Sequence, residues 1–146
     1  MTKSEEELKK RHAKLMKERR ALYNTYKKCH CPLLSADIIF NARRFHHLKW
    51  DGLGHPRSLK EQMYRAGLIP LIIPVIENAT KVHDYRKYYS ENAERYVEDW
   101  TLKEVVGKNK ITVTVILRKA GNGQISFYSV WKKYKRRKTS KKPSSK

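Results

Sequence analysis

The chain has 146 residues, in which 34 Lys and Arg stand against 14 Asp and Glu, a formal charge of +20. That length holds one hydrophobic core and not two, and so large an excess of cations is the footprint of a polyanionic partner, nucleic acid before any other. It offers no membrane span: about 18 or more apolar residues in a row are required, and the longest apolar stretch, Ala66 to Ile76, is shorter and holds two prolines.

The N-terminus, MTKSEEELKK, is charged where a secretory signal has its apolar centre. The two cysteines, Cys29 and Cys31, are one residue apart, too close for an ordinary stabilising disulfide. Both features point to a cytoplasmic protein without a membrane partner. Cys29-His30-Cys31, with His12, offers zinc ligands in principle, but structural zinc sites usually take paired CxxC knuckles and no second pair follows. No metal and no cofactor are therefore expected.

Residues 4–28 read as a basic helix, with Ser4 as N-cap, glutamates in the first turn and cations accumulating after them. Pro32 ends that segment, and Asp37-Ile38-Ile39-Phe40 is β-prone. Asn41 then caps a helix from Ala42 to about Trp50. At 100° per residue Ala42, Phe45 and Leu48 share one side, which faces the core, while Arg43, His46, His47 and Trp50 share an arc of roughly 100° on the other. Two imidazoles on such a face either serve as plain polar surface or hold a phosphate and move a proton.

A turn-rich loop, Asp51 to Pro56, leads to Ser58-Leu59-Lys60-Glu61, which reads as a capping box, so Arg57 sits beside a helix N-terminus where anions are favoured. The helix from Leu59 pauses near Gly67. Residues 68–78, LIPLIIPVIEN, are apolar all round and form the central helix, with Pro70 in its first turn. From Thr80 the period changes to two. Strands are expected over 80–86, 95–106 and 111–117, with Lys87 to Glu94 as a loop, and Gly121-Asn122-Gly123 turns the chain into a returning strand, 124–131.

These elements divide the chain into a basic N-terminal helix and linker (1–32), one domain (33–131) and a basic tail (132–146) too polar to pack. The fold class is α+β, with N-terminal helices packed on a C-terminal four-stranded antiparallel meander. The tail adds affinity for any polyanion by counterion release.

No Walker A loop, GxGxxG, GxSxG or HExxH is present, and carboxylates are not clustered as a two-metal nuclease requires. Metal-free RNA cleavage needs a base, an acid and a cation near the developing phosphorane charge. His47, with His46 second, supplies the proton chemistry. Arg57 and Arg65 are cations within reach, and the C-terminal hairpin offers Arg118, Tyr128 and Ser129 from its open face. Arg43, Arg44, Lys49, Lys132, Lys133, Lys135, Arg136 and Arg137 complete the binding set.

The order of a His-bearing helix, a short apolar helix and strands ending in ITVTVILRKAGNGQISFYSVW resembles the barnase-EndoU-colicin-RelE superfamily of small RNA-cleaving toxins, in its phage-associated bacterial form. The resemblance covers residues 33–131. It implies an endoribonuclease cleaving by 2′-OH transesterification, with His46 or His47 as acid or base, Arg57 or Arg65 on phosphate, Ser129 beside them, and an antitoxin as partner. The alternative is a protein that binds RNA or DNA without cutting it, or a basic subunit of a larger ribonucleoprotein or effector complex. In it, Tyr85, Tyr88, Tyr89, Tyr96, Trp100, Phe127 and Tyr128 stack on bases.

Overall fold

A computed structural model describes residues 2–51 and 53–132 of the chain. The expected contacts of Lys133, Lys135, Arg136 and Arg137, and the tail that carries them, lie outside the described residues.

The first helix, α1, spans Lys3–Asn24. Its cap is Thr2 and not Ser4: Thr2 Oγ1 accepts from the Glu5 amide at 3.2 Å and Glu5 Oε1 accepts from the Thr2 amide at 3.3 Å. The helix stops at Asn24, short of the expected Lys28, because the Thr25 hydroxyl donates to the Leu22 carbonyl at 2.6 Å and Lys27 takes φ 23°. It buries Met16 and Tyr23 and leaves most of its cations outward, although Arg19 is half-buried and Arg20 lies with Cζ 5.3 Å from the Phe45 ring centre. Tyr23 Oη donates to the Asn41 carbonyl at 2.8 Å and ties α1 to that segment, and Tyr26 Oη, just past the helix, donates to the Ile69 carbonyl at 3.1 Å.

Strands β1 (Lys28–Cys31) and β2 (Ala36–Ile39) then form a hairpin, turning through Ser35 at φ 51°. Helices α2 (Ala42–His46), α3 (Leu59–Ala66) and α4 (Ile69–Asn78) follow. In α4 Ile69, Ile72, Val75 and Ile76 are all buried, which is what an all-apolar helix requires. Strands β3 (Asp84–Ser90), β4 (Arg95–Val106), β5 (Ile111–Ala120) and β6 (Ser126–Lys132) close the chain. No helix among the described residues is long and apolar enough to cross a membrane.

The sheet order is β1-β2-β6-β5-β4-β3, and β2 runs parallel to β6 while every other pair is antiparallel. The expectation of a four-stranded antiparallel meander is thereby corrected: the fold is α+β with an N-terminal helix and a six-stranded mixed sheet. The hairpin of β1 and β2 joins the sheet through Ile39, which pairs with Ser126 and donates to the Ile125 carbonyl at 2.9 Å. Its strands are four residues each, too short for a period of two to show, and a parallel pairing between distant segments leaves no local turn signal. The expected strand over 80–86 is shifted, since β3 occupies Asp84–Ser90 and so takes in part of the presumed 87–94 loop.

One face of the sheet carries the helices. There Phe40, Phe45, Phe127 and Tyr23 gather with Ile38, Leu102, Val113, Val115, Leu117 and Val130, all buried. Phe40 stacks on Phe127 at 5.8 Å and meets Tyr23 edge-on at 5.9 Å, offset geometries that aromatic rings favour. Burying each such side chain stabilises the fold by about 1.5–3 kcal/mol. No helix packs on the opposite face, where Thr114 is buried between its strand partners Lys103 and Trp131, and α2 with the turn after it stands at the margin beside β6.

Candidate nucleic-acid site

The site is assembled from that marginal helix and from the strands beside it. Asn41 Oδ1 accepts from the Arg43 amide at 2.9 Å and starts α2. Phe45, 2% exposed, pins it to the core 5.7 Å from the Tyr23 ring. The helix is only five residues long and His47 is its C-cap. It does not run to Trp50, which corrects the expectation of one exposed arc shared by Arg43, His46, His47 and Trp50.

The consequence is that the adjacent histidines part company. His46 stacks on Trp50 at 5.7 Å and stays exposed, with Arg43 also exposed. His47 turns toward β6, its ring 6.0 Å from that of Tyr128. Arg44 lies one turn back on the same side, the i, i+3 relationship that brings helical side chains together. Its Nη1 donates to His47 Nε2 at 3.1 Å, and its Cζ is 4.5 Å from the Tyr128 ring centre.

After α2 the Asp51 carboxylate accepts from the amides of Leu53 and His55 at 2.8 and 2.9 Å. The His55 amide, above all, holds Asp51 below the usual carboxylate range. Arg57 Nε donates to the His47 carbonyl at 3.1 Å, and Gln62 Nε2 donates to the Arg57 carbonyl at 2.8 Å. Ser58 Oγ accepts from the Glu61 amide at 3.1 Å, but the Glu61 side chain pairs with Arg65 at 2.8 Å, so only half of the expected capping box forms. Arg57 is thus a brace for the His47 backbone. Arg65 also donates to the Val130 carbonyl at 3.1 Å and serves α3–β6 packing.

On the sheet side a register shift sets the geometry. Leu117 pairs with Phe127 and Ile116 with Ser129, which leaves Tyr128 as the extra residue of a β-bulge. Phe127 and Val130 are buried with the helices, so Tyr128 and Ser129 both turn to the open face. Arg118 projects beside them with Cζ 3.6 Å from the Tyr128 ring centre. Its Nε and Nη2 donate to Asp99 at 2.7 and 2.9 Å, and Nη2 also donates to Tyr88 Oη at 2.8 Å. Tyr88 Oη in turn donates to Asp99 at 3.0 Å.

The electrostatics follow from this crowding of cations. Burial, then Arg44, His46, Arg57 and Arg118, lower the His47 pKa below its ordinary value, so the neutral ring is favoured. Accepting from Arg44 at Nε2 places the ring proton on Nδ1. Burial also lowers Arg44, which has no carboxylate partner among the described residues. For Arg118 burial opposes the charge, but hydrogen bonding to Asp99 and the field of Tyr128 outweigh it, and its pKa is raised.

The structure therefore brings His47, Arg44, Arg57, Arg118 and Tyr128 together, with Ser129 next along β6, and sets His46 and Arg43 apart. Lys49 accepts from the Arg57 amide through its carbonyl at 2.7 Å. Lys132 lies at the α3 end of β6, where its amide donates to Tyr64 Oη at 2.7 Å. Sequence pattern leaves Asp99 and Tyr88 outside the site. Counting outward from the Gly107–Lys110 turn would have set Asp99 opposite Arg118, which is their register. The bulge at Tyr128 has no such signal.

The zinc candidates are scattered. Cys29 and Cys31 are free thiols, with burial first pushing Cys29 up to about 12. His30 hydrogen-bonds Asp37 at 3.0 Å and His12 hydrogen-bonds Gln62 at 2.7 Å.

Comparison with known proteins gives no family: no family profile matches the chain, and neither curated proteins nor solved structures include a significant match.

Proposed function

We propose that the protein binds single-stranded RNA across the open face of its sheet and cleaves it without metal by 2′-OH transesterification. The observation that carries this reading is the convergence of Arg44, His47, Arg118 and Tyr128, which come from a helix and two strands far apart in the chain. Neutral at pH 7, His47 accepts the 2′-OH proton as that oxygen attacks the adjacent phosphorus. Arg44 leaves Nε2 to meet the phosphate, and with Arg118 it stabilises the charge gained by the phosphoryl oxygens. Tyr128 is the donor we assign to the leaving 5′-oxygen. The need for a 2′-OH selects RNA over DNA.

Such an activity is in keeping with the barnase-EndoU-colicin-RelE resemblance, with work in the cytoplasm and with an acidic antitoxin that covers the cationic face. Incubation with total RNA in EDTA tests it: fragments ending in 2′,3′-cyclic phosphate are expected from the wild type, and none from His47→Ala. RNA left intact by the wild type at every pH overturns it.

A second reading, binding without cleavage, is favoured by the Arg44–His47 hydrogen bond, which occupies the lone pair a base needs. It expects salt-sensitive RNA binding, equal in wild type and His47→Ala, with no product.

A further inference from the structure

A cleft of about 500 Å³ opens on the uncovered face of the sheet where β3, β4, β5 and β6 lie side by side, and it begins at Tyr128. Its size falls within the roughly 300–1,000 Å³ typical of small-ligand sites. We infer that this cleft is a subsite for one unpaired nucleotide, its base against the exposed indole of Trp131 and its phosphate on Lys103. The inference rests on the RNA-binding reading above and adds where the strand goes after it leaves the guanidiniums.

Three observations carry it. The first is continuity, because Tyr128 belongs both to the cleft and to the arginine cluster, so a backbone held by Arg44 and Arg118 has the cleft as its next space. The second is the wall: Trp131 keeps a 36% exposed indole at the cleft, and base stacking on exposed aromatic rings is how single strands are held without pairing. The third is unspent hydrogen-bonding capacity. The side-chain hydroxyls of Thr101 and Ser129 line the cleft and bond to no described residue, and Lys103 has no carboxylate partner among the described residues. Hydroxyls suit the mixed donor and acceptor edge of a base, since each can serve as either. His83 stands exposed at the rim as a further donor.

The bulge is what makes this geometry. In a regular strand Tyr128 and Ser129 would point to opposite faces, and one of them would be lost to the core. With the bulge, the aromatic ring and the hydroxyl serve the same face, and Ser129 acts in base recognition here instead of in proton transfer.

The test follows the indole N–H signal of Trp131 by 15N–1H NMR, identified by its loss in Trp131→Phe. The full chain is titrated with AMP, GMP, CMP and UMP in turn, and with ribose 5-phosphate as a baseless control. At least one mononucleotide is expected to shift the Trp131 indole and the Thr101 and Ser129 amides, while ribose 5-phosphate leaves them in place. Trp131→Ala is expected to weaken binding of a ten-residue oligoribonucleotide about tenfold, and Ser129→Ala to change the order of preference among the four bases.

The proposal is overturned if nucleotides and ribose 5-phosphate shift the same signals equally, or if none reaches Trp131 while RNA is bound and cut. Should mononucleotides occupy the cleft although RNA remains intact, the subsite stands and the nuclease reading falls.

Discussion

Arg118 holds both oxygens of Asp99, at 2.7 and 2.9 Å, while its guanidinium carbon stands 3.6 Å from the centre of the Tyr128 ring. One carboxylate thus fixes the cation that shapes the open face. The pair is largely shielded, with side chains 23% and 15% exposed.

Asp99→Ala is expected to cost about 2 kcal/mol in urea denaturation, below the roughly 3–5 kcal/mol of a fully buried pair broken on one side. The released guanidinium loses its fixed position over Tyr128, and on the proposed function RNA affinity is expected to fall as well. A variant as stable as wild type would show that the pair is not holding β4 to β5.

His47 sets a pH dependence whose sign is fixed by its lowered pKa. The folded state resists protonation more than the unfolded chain, whose histidines titrate near about 6.5. The stabilisation is therefore complete above that value and is lost as pH falls from it through the lower folded value. Thermal unfolding of wild type and His47→Gln between about pH 7.5 and 5 is expected to show the wild type losing ground to the variant on acidification. The opposite trend would mean a charged, partnered ring.

Phe45→Ala is expected to destabilise the fold by about 3–5 kcal/mol, the usual cost of emptying a large aromatic site. Because Phe45 anchors a helix of five residues, the loss should reach the site too. In a stabilising buffer where the variant stays folded, its RNA binding should be weaker than wild type, and NMR signals of His47 should broaden or move.

Arg44→Ala is expected to make RNA affinity fall less steeply with salt, the slope of log K against log salt becoming shallower by about 0.7 for each phosphate that the side chain neutralises. Affinities measured across a series of KCl concentrations give that slope directly. An unchanged slope would remove Arg44 from the phosphate-binding set.

Much of this arrangement is legible in the residues alone. The alternation in Ile111–Leu117, the apolar run around α4 and Asn41 as a cap can all be read from local pattern. Local pattern also misleads: the wheel that put His46 and His47 on one arc assumes a helix to Trp50, and α2 ends where His47 caps it. The β-prone run Asp37-Ile38-Ile39-Phe40 marks β2, but β1 and the docking of the hairpin hide because the strands are short and their partner, β6, lies at the other end of the described chain. The choice of Tyr128 over its neighbours hides because a bulge is settled by packing of Phe127 and Val130 on both sides of it, not by turn chemistry.

The pairing of Ile39 with Ser126 has a consequence for the timing of synthesis. Arg44 and His47 leave the ribosome well before Arg118, Tyr128 and the strand that seats them. An unfinished chain cannot complete the cluster, so a protein that acts on RNA would be born inert beside the messenger that encodes it. It would gain its site only when β6 slides in between β2 and β5.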